Sequence, residues 1–410
     1  MSIATKFITS EDKVSQGIKY FGTLEVSAMF KPIADNISKS MTDYSNIGQS
    51  IFDKTDRHLH ITRNNPIYIC KNMIYDYFTK HMENYATFHI EDSVNPIASV
   101  EDNFDNLLIT HAHVSRGRSD TYYISENKVL RTHMSASQPG HLKAGLDNFL
   151  VTGCVYRKDE VDRSHYPIFH QLEGLAVVPE GVDPISELKK VLSGLVEYLF
   201  PGCEYRFNKD SFPFTDPSIE IEVKLKNTDV WLEILGAGIT KKEIITNAGR
   251  SGTWWAFGLG LERLCMIMFD IPDIRYFWST DERFTNQFDN SLDPRKIKFV
   301  PFSANLETEI KDISFWINPD QLDEKNNWSM ENDFMTIVRE VCGDAVEHVG
   351  IHDAFTNKKN GKHSKCYRLK ILPIDTTITD PGLFKEKCKD MMKSIRELME
   401  KNVDLHVEIR

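Results

Sequence analysis

Residues 155–174 read Val155-Tyr-Arg-Lys-Asp-Glu-Val-Asp-Arg-Ser-His-Tyr-Pro-Ile-Phe-His-Gln-Leu-Glu-Gly174, two strand-like flanks around a highly charged turn. Arg157 and Asp159 stand at the near edge of the turn, His165 and Phe169 at the far edge. On the returning strand Gln171 and Glu173 are two positions apart, so they share one face and point into one pocket. A cation, a flat ring and a carboxylate thus come together in one hairpin. Such a set suits a site that meets a phosphorylated purine on one side and a zwitterion on the other.

The segments around this hairpin predict an α+β chain. Asn65-Pro66 opens a helix running to Lys80, with Ile67, Ile74, Tyr77 and Phe78 on one stripe. Phe88 to Leu108 mixes short strand-like runs with polar turns. A second helix is expected from Pro184 to Phe200: Asp183 caps it, Leu188, Leu192, Leu195 and Leu199 share a face, and Pro201-Gly202 stops it. Residues 219–225 and 230–235 alternate like antiparallel strands, and Ala256 to Met268 reads as a glycine-rich strand or turn entering a helix. Few helices and hairpin-like turns argue for a mainly antiparallel sheet rather than a doubly wound parallel one. After Pro294 the order is strand 310–317, helix 333–342, strands 345–355 and 367–372, helix 383–401 and strand 403–410, the ferredoxin-like βαββαβ pattern. The expected organisation is an extension of weak structure over 1–55, a catalytic domain over 56–292, a linker over 293–303 and a tail domain over 304–410.

Composition narrows the class. With 41% apolar and 27% charged residues over 410 positions, the chain has the balance of a globular protein large enough for two domains. No run of about 18 apolar residues occurs, so no membrane partner is expected. The net charge of −11 argues against a broad basic coat but leaves room for local patches that meet nucleic acid. Seven cysteines are scattered singly without a Cys-x-x-Cys pair, which reads as a reduced compartment with neither a disulfide framework nor a zinc site. The first residues lack the apolar core of a signal peptide, and their acids and sparse arginine fit a transit peptide poorly.

Three separated segments resemble the signature motifs of class II aminoacyl-tRNA synthetases. The helix 66–80 takes the place of the first, Arg157 to Glu173 resembles the second, and Trp255-Ala-Phe-Gly-Leu-Gly-Leu-Glu-Arg-Leu264 resembles the third. Val129-Leu-Arg-Thr-His-Met-Ser-Ala-Ser-Gln138 and Ser211-Phe-Pro-Phe-Thr-Asp-Pro-Ser218 are similar to the phenylalanyl-tRNA synthetases, and the ferredoxin-like tail to their single-chain organellar form. The resemblance spans residues 56–410.

It implies a class II core that activates phenylalanine with ATP and Mg²⁺ and transfers it to the terminal 2′-OH of tRNA-Phe. A monomer in the mitochondrion or a related organelle is expected. Arg157 and Arg263 are the implied catalytic cations, and Arg157, Asp159, His165, Phe169 and Arg263 the implied ATP contacts. His133, Ser135, Gln138, Gln171, Glu173, Phe212, Phe214 and Ala256 would hold phenylalanine, with Glu173 on its ammonium group and the two rings against its ring. Gly236-Ala-Gly238 would form pocket wall, and Glu233 is a single candidate carboxylate for Mg²⁺. In the tail, Lys358, Lys359, Lys362, Lys365, Arg368 and Lys370 form a basic run without an acid, the charge expected of a tRNA contact. Two rival readings stand beside this one, a class II synthetase for another amino acid and a catalytically silent tRNA-binding relative.

Overall fold

Two hydrophobic regions organise the chain, one packed on both faces of a large sheet and one inside the tail. The computed structural model describes residues 32–410 except 83, 84, 86, 226, 227, 290, 291, 303–305, 360 and 375–377. In the first part the strands are β1 (His89–Glu91), β2 (Ile97–Ser99), β3 (Tyr123–Ser125), β4 (Lys128–Leu130), β5 (Asn148–Tyr156), β6 (Ile168–Val177), β7 (Tyr205–Asp210), β8 (Thr215–Lys224), β9 (Trp231–Thr240) and β10 (Trp254–Gly260). Seven of them pair in the order β1-β5-β6-β10-β9-β8-β7, and β2-β4-β3 form a small separate sheet. Only the edge pair β1–β5 is parallel within the large sheet, as the hairpin-rich sequence predicts.

The period-two alternation of strands sorts the large sheet into two faces. Ile168, Leu172 and Ala176 of β6 and Trp255, Phe257 and Leu259 of β10 face one core. That core is closed by the longer helices α1 (Pro32–Ser40), α2 (Pro66–Lys80), α3 (Pro184–Leu199) and α4 (Leu261–Phe269). The intervening residues of β6, from Phe169 to Glu173, and of β10, from Ala256 to Gly260, take the opposite face. A slip of one residue would exchange the two sets, so helix packing holds the polar positions where they are.

The tail is βαββαβ. β11 (Glu309–Ile317), α5 (Glu331–Cys342), β12 (Val346–Thr356), β13 (His363–Ile371), α6 (Pro381–Lys401) and β14 (Glu408–Ile409) follow in turn, and the sheet order is β12-β13-β11-β14. The last strand is far shorter than the expected 403–410. The Asn402 side chain accepts from Asp404 N at 3.1 Å and Leu405 N donates to Asn402 O, so a turn consumes the first of those residues.

Two further expectations change. Residues 32–52 are not weakly structured: Ile33 and Ile37, one helical turn apart on α1, are buried, as is Ile51 in the short helix Gln49–Phe52. Residues 1–31 lie outside the described residues. The expected linker is also not free chain up to its end. Ile297 and Phe299 are buried in the first core, and Phe299 N donates to Phe269 O at 2.8 Å. Leu306 already packs on the tail core, so the passage between cores falls at 303–305, outside the described residues together with the expected boundary at Ser303 and Ala304.

The tail grips the charged turn between β5 and β6. Val161 is buried in the tail core, Lys158 Nζ meets Asp333 at 2.7 Å, Tyr166 OH donates to Asp344 at 2.6 Å, and Arg339 donates to the carbonyls of Asp159 and Glu160.

Asn65 is the cap that starts α2: its Oδ1 accepts from Ile67 N at 3.0 Å while its Nδ2 donates to Phe277 O at 3.1 Å, all with 4% exposure. Asn65→Ala removes the cap and strands a buried carbonyl, so it is expected to cost about 1–3 kcal/mol. A denaturant midpoint equal to that of the unaltered protein contradicts this assignment.

Candidate active site

The face of β6 and β10 that the helices do not cover is the floor of two adjoining cavities, of about 550 Å³ and 340 Å³. Arg157, Asp159, Gln171, Glu233, Gly236 and Gly258 line both, so a single wall separates them. The larger also takes in His133, Ser135, Gln138, Glu173, Phe212, Phe214 and Ala256, the residues expected around an amino acid. The smaller takes in His165, Phe169 and Arg263, the remaining residues expected around a nucleotide.

Glu173 is the most constrained of these groups. It is 5% exposed, and the only partners its carboxylate oxygens have among the described residues are neutral. Ser135 Oγ donates to one oxygen at 2.9 Å and Gln138 Nε2 to the other at 3.0 Å. Ser135 lies in the helical turn Met134–Ser137 and Gln138 starts the next short helix, so one local fold delivers both donors. Burial pushes the Glu173 carboxyl up to about 7, against the pull of Ser135, Gln138 and Arg157. A carboxylate in this state gains from a cation brought from outside. Gln171 turns its oxygen to Met134 N at 3.2 Å, which fixes the amide beside the same cavity.

His133 is half-buried, with both ring nitrogens shielded from solvent. Burial together with Arg157 and Arg131 pushes its pKa down to about 3, so it stays neutral and is a poor proton acceptor. Phe212 and Phe214 sit in the turn before β8, with parallel rings 5.9 Å apart at 8°. Gly236 has to be glycine because a Cβ there would stand 2.6 Å from Phe212 Cζ. Ala256 is opposite Gly238 across β10 and β9, and these small residues keep the cavity base open.

In the smaller cavity Arg157 is half-buried, its Nε donating to Thr132 O at 2.7 Å and its guanidinium 5.2 Å from the Phe169 ring centroid. Arg263, in the first turn of α4, donates to Glu233 O at 3.1 Å. The Asp162 carboxylate, 2.7 Å from His165 Nδ1, raises the His165 pKa and orients that ring at the mouth. Asp159 Oδ1 accepts from Glu160 N at 2.9 Å, so that side chain also tethers its own loop. Glu233 is raised by burial and by nearby Glu220, with Arg263 acting in the opposite sense. An oxygen donor in that setting fits a hard cation.

Thr132 and Asp162 were not singled out from sequence. Asp162 was recoverable from its i,i+3 spacing to His165, whereas a main-chain acceptor such as the Thr132 carbonyl leaves no sequence signal.

The six basic residues of the tail do not form one surface. Lys358 and Lys359 are exposed at the tip of the β12–β13 hairpin, and Lys362 pairs with Glu408 at 2.7 Å. Arg368 forks onto Asp312 with two 2.8 Å contacts, and Lys370 meets Glu347 at 3.0 Å. Lys365 is buried, 4.0 Å from Glu331, because the β13 alternation puts it on the same face as Tyr367 and Leu369. It is no part of an outer RNA-binding face.

A largely antiparallel sheet carrying two adjoining polar cavities, one of them lined by Arg157 and Arg263, agrees with a class II aminoacyl-tRNA synthetase core. The family model "tRNA synthetases class II core domain (F)" matches residues 55–288. The chain is 43% identical over 377 residues to the chloroplastic/mitochondrial phenylalanine–tRNA ligase of Arabidopsis thaliana, covering 89% of this chain and 83% of the relative. The mitochondrial phenylalanine–tRNA ligase of Mus musculus is 38% identical, covering 82% and 81%, and that of Dictyostelium discoideum is 36% identical, covering 90% of both. The chain belongs to the family of organellar phenylalanine–tRNA ligases of class II.

Glu173 generates a pH dependence. A carboxyl with a pKa near 7 is protonated below that pH and then loses its attraction for an ammonium group. The kcat/KM for amino-acid activation at saturating ATP is expected to fall about tenfold per pH unit on the acid side of this pKa. Glu173→Gln should lose activity and flatten that limb, and an unchanged limb in the variant would assign it to another group.

Proposed function

We propose that the two cavities activate phenylalanine with ATP and that the chain then charges tRNA-Phe in an organelle, acting as a monomer. The observation that carries this reading is buried Glu173 with its neutral donors, set beside a ring-lined cavity on the wall shared with Arg157. Glu173 would take the phenylalanine ammonium, with Gln171, His133, Ser135 and Gln138 around the polar end. Phe212 and Phe214 would meet the ring over Ala256. Asp159 and Phe169 would receive the adenine, with Arg263 on its other face. His165 and Arg263 would meet the phosphates.

The carboxylate of phenylalanine attacks the α-phosphorus, the bond to the leaving oxygen breaks, and pyrophosphate departs as phenylalanyl-adenylate forms. Arg157 stands where charge grows on the α-phosphate and stabilises it without donating a proton. Its guanidinium now rests over Phe169, so adenine stacking would free it to turn toward the phosphate. Mg²⁺ arriving with the nucleotide would be held by Glu233 and would neutralise phosphate charge. The terminal 2′-OH of tRNA-Phe then attacks the acyl carbon and AMP leaves. Holding the reactants in line is the main task left to the protein, and no residue has to become a covalent intermediate. In the tail, Lys358, Lys359 and Lys362 remain on the outer surface for RNA phosphates.

Phenylalanine-dependent exchange between ATP and pyrophosphate is the direct test. Exchange driven by a different amino acid alone would favour a synthetase of other specificity, and none at all a silent tRNA-binding protein. Division of labour gives a second expected outcome. Phe169→Ala should raise KM for ATP by about 5- to 150-fold, the worth of one stacked base, and Glu173→Ala should act chiefly on phenylalanine. Equal losses for both substrates in both variants count against the division. Because an apolar pocket rejects an added hydroxyl by only about 100-fold, tyrosine should give measurable exchange. Sedimentation at working concentrations checks the monomer.

A further inference from the structure

Behind the active-site strand, on the face turned to the helices, lies a group of nitrogen and sulfur donors that the reaction does not use. His58 and His60 flank Leu59 at the short helical turn Leu59–Ile61, before α2. Cys154 on β5 and His170 on β6 are direct partners in the sheet. None of the four is more than 5% exposed. One donor atom each from His58, His60 and Cys154 lies within 4.8 Å of the others.

The contacts of the sulfur suit a small tetrahedral ion. Sγ is 3.7 Å from His58 Nδ1 and 3.3 Å from His170 Nε2. A tetrahedral zinc site with bonds of about 2.0–2.3 Å has nitrogen-to-sulfur edges of about 3.5 Å, between those two values. The outward ring nitrogens are anchored as metal-binding imidazoles are. His60 Nε2 meets Asp92 O at 2.9 Å, and His170 Nδ1 meets Glu262 Oε1 at 2.7 Å. Glu262 is itself fixed by accepting from His170 N at 2.9–3.0 Å.

A second, independent observation is His60 Nδ1. Because Nε2 faces a carbonyl oxygen it carries the proton, which leaves Nδ1 with a bare lone pair. That atom is buried, makes no hydrogen bond of normal geometry among the described residues, and has the Cys154 sulfur as its polar neighbour. An unmet buried acceptor is costly, and a cation at the centre of the group would satisfy it.

We propose that His58, His60 and Cys154, whose donor atoms already lie together, bind a Zn²⁺ ion, with His170 drawn in from beside the sulfur as the fourth ligand, and that the ion ties the segment ahead of α2 to strands β5 and β6. On binding, the Cys154 S–H bond breaks, the thiolate bonds the metal, and the proton passes to solvent. The site is closed, so its role is structural. It braces the strand that carries Phe169, Gln171 and Glu173 from the side away from the substrates.

The test is metal analysis of the full chain, made with zinc in the growth medium and dialysed against metal-free buffer. About one zinc ion per chain is expected, with loss in Cys154→Ser and His60→Gln. Cobalt in place of zinc should give a thiolate-to-cobalt charge-transfer band that Cys154→Ser abolishes and Cys203→Ser keeps. If Cys154→Ser fails to fold, the cobalt spectrum of the unaltered protein decides the matter alone. A folded chain that holds no zinc and gives no such band overturns the proposal and leaves a metal-free Cys154–His170 hydrogen bond. A band that survives Cys154→Ser overturns it as well.

Discussion

A carboxylate buried without a cationic partner is the constraint around which the catalytic half is arranged. Glu173 is held by a hydroxyl and an amide, both neutral, and burial has already raised its pKa to about 7. Supplying a lysine or arginine from the protein would satisfy the charge and close the site to an ammonium ligand. Arg157 comes near enough to act on Glu173 through space, yet its own hydrogen bond goes to the Thr132 carbonyl. The protein thus keeps the two charges apart, and a zwitterion with its ammonium on one and its carboxylate toward the other fits between them.

What keeps that arrangement in place is strand parity. Glu173, Gln171 and Phe169 occupy one face of β6, while Ile168, His170, Leu172 and Ala176 are locked against α2, α3 and α4 on the other. Four of these form or adjoin the helix-side core, and together they bury enough apolar surface to outweigh the cost of one raised carboxyl by a wide margin. The neighbouring strands obey the same rule. Gly236, Gly238, Ala256 and Gly258 fall on the open face, where the Phe212 ring crowds Gly236, Thr215 and the Pro217 carbonyl crowd Gly238, and the stem of Glu173 crowds Gly258.

Much of this was legible in the sequence because it depends on local pattern. The Asn65-Pro66 start predicted a helix whose observed limits are Pro66–Lys80, and the spacing of leucines after Pro184 gave the second helix to within one residue. The two-residue spacing of Gln171 and Glu173 was enough to place both on one wall. Long-range partners were hidden. Strand spacing alone did not show that Lys365 turns inward onto Glu331, since the side of a strand that is covered depends on where α5 lies. The cysteines read as isolated because sequence spacing exposes paired ligands of the Cys-x-x-Cys kind. Cys154 meets histidines from a segment about a hundred positions earlier, and only the β5–β6 pairing adds His170. Asn402 hid a turn inside an apparently continuous strand.

The turn between β5 and β6 links both halves of the molecule. Its outer residues, Asp159 and His165, border the smaller cavity, and its middle residue, Val161, is buried in the core of the tail. Arg339 holds the carbonyls of Asp159 and Glu160, and Lys158, the residue next to Arg157 of the cavity, is tied to Asp333 of the same helix. A loop carrying this many charges has little apolar surface of its own with which to hold one conformation. Its order is supplied by the tail, through one buried valine, the contacts of Arg339, Lys158 and Arg163, and the Tyr166–Asp344 hydrogen bond. The geometry of the smaller cavity therefore depends on the tail, although the tail's own sheet lines neither cavity, and that cavity is a property of both parts of the chain together.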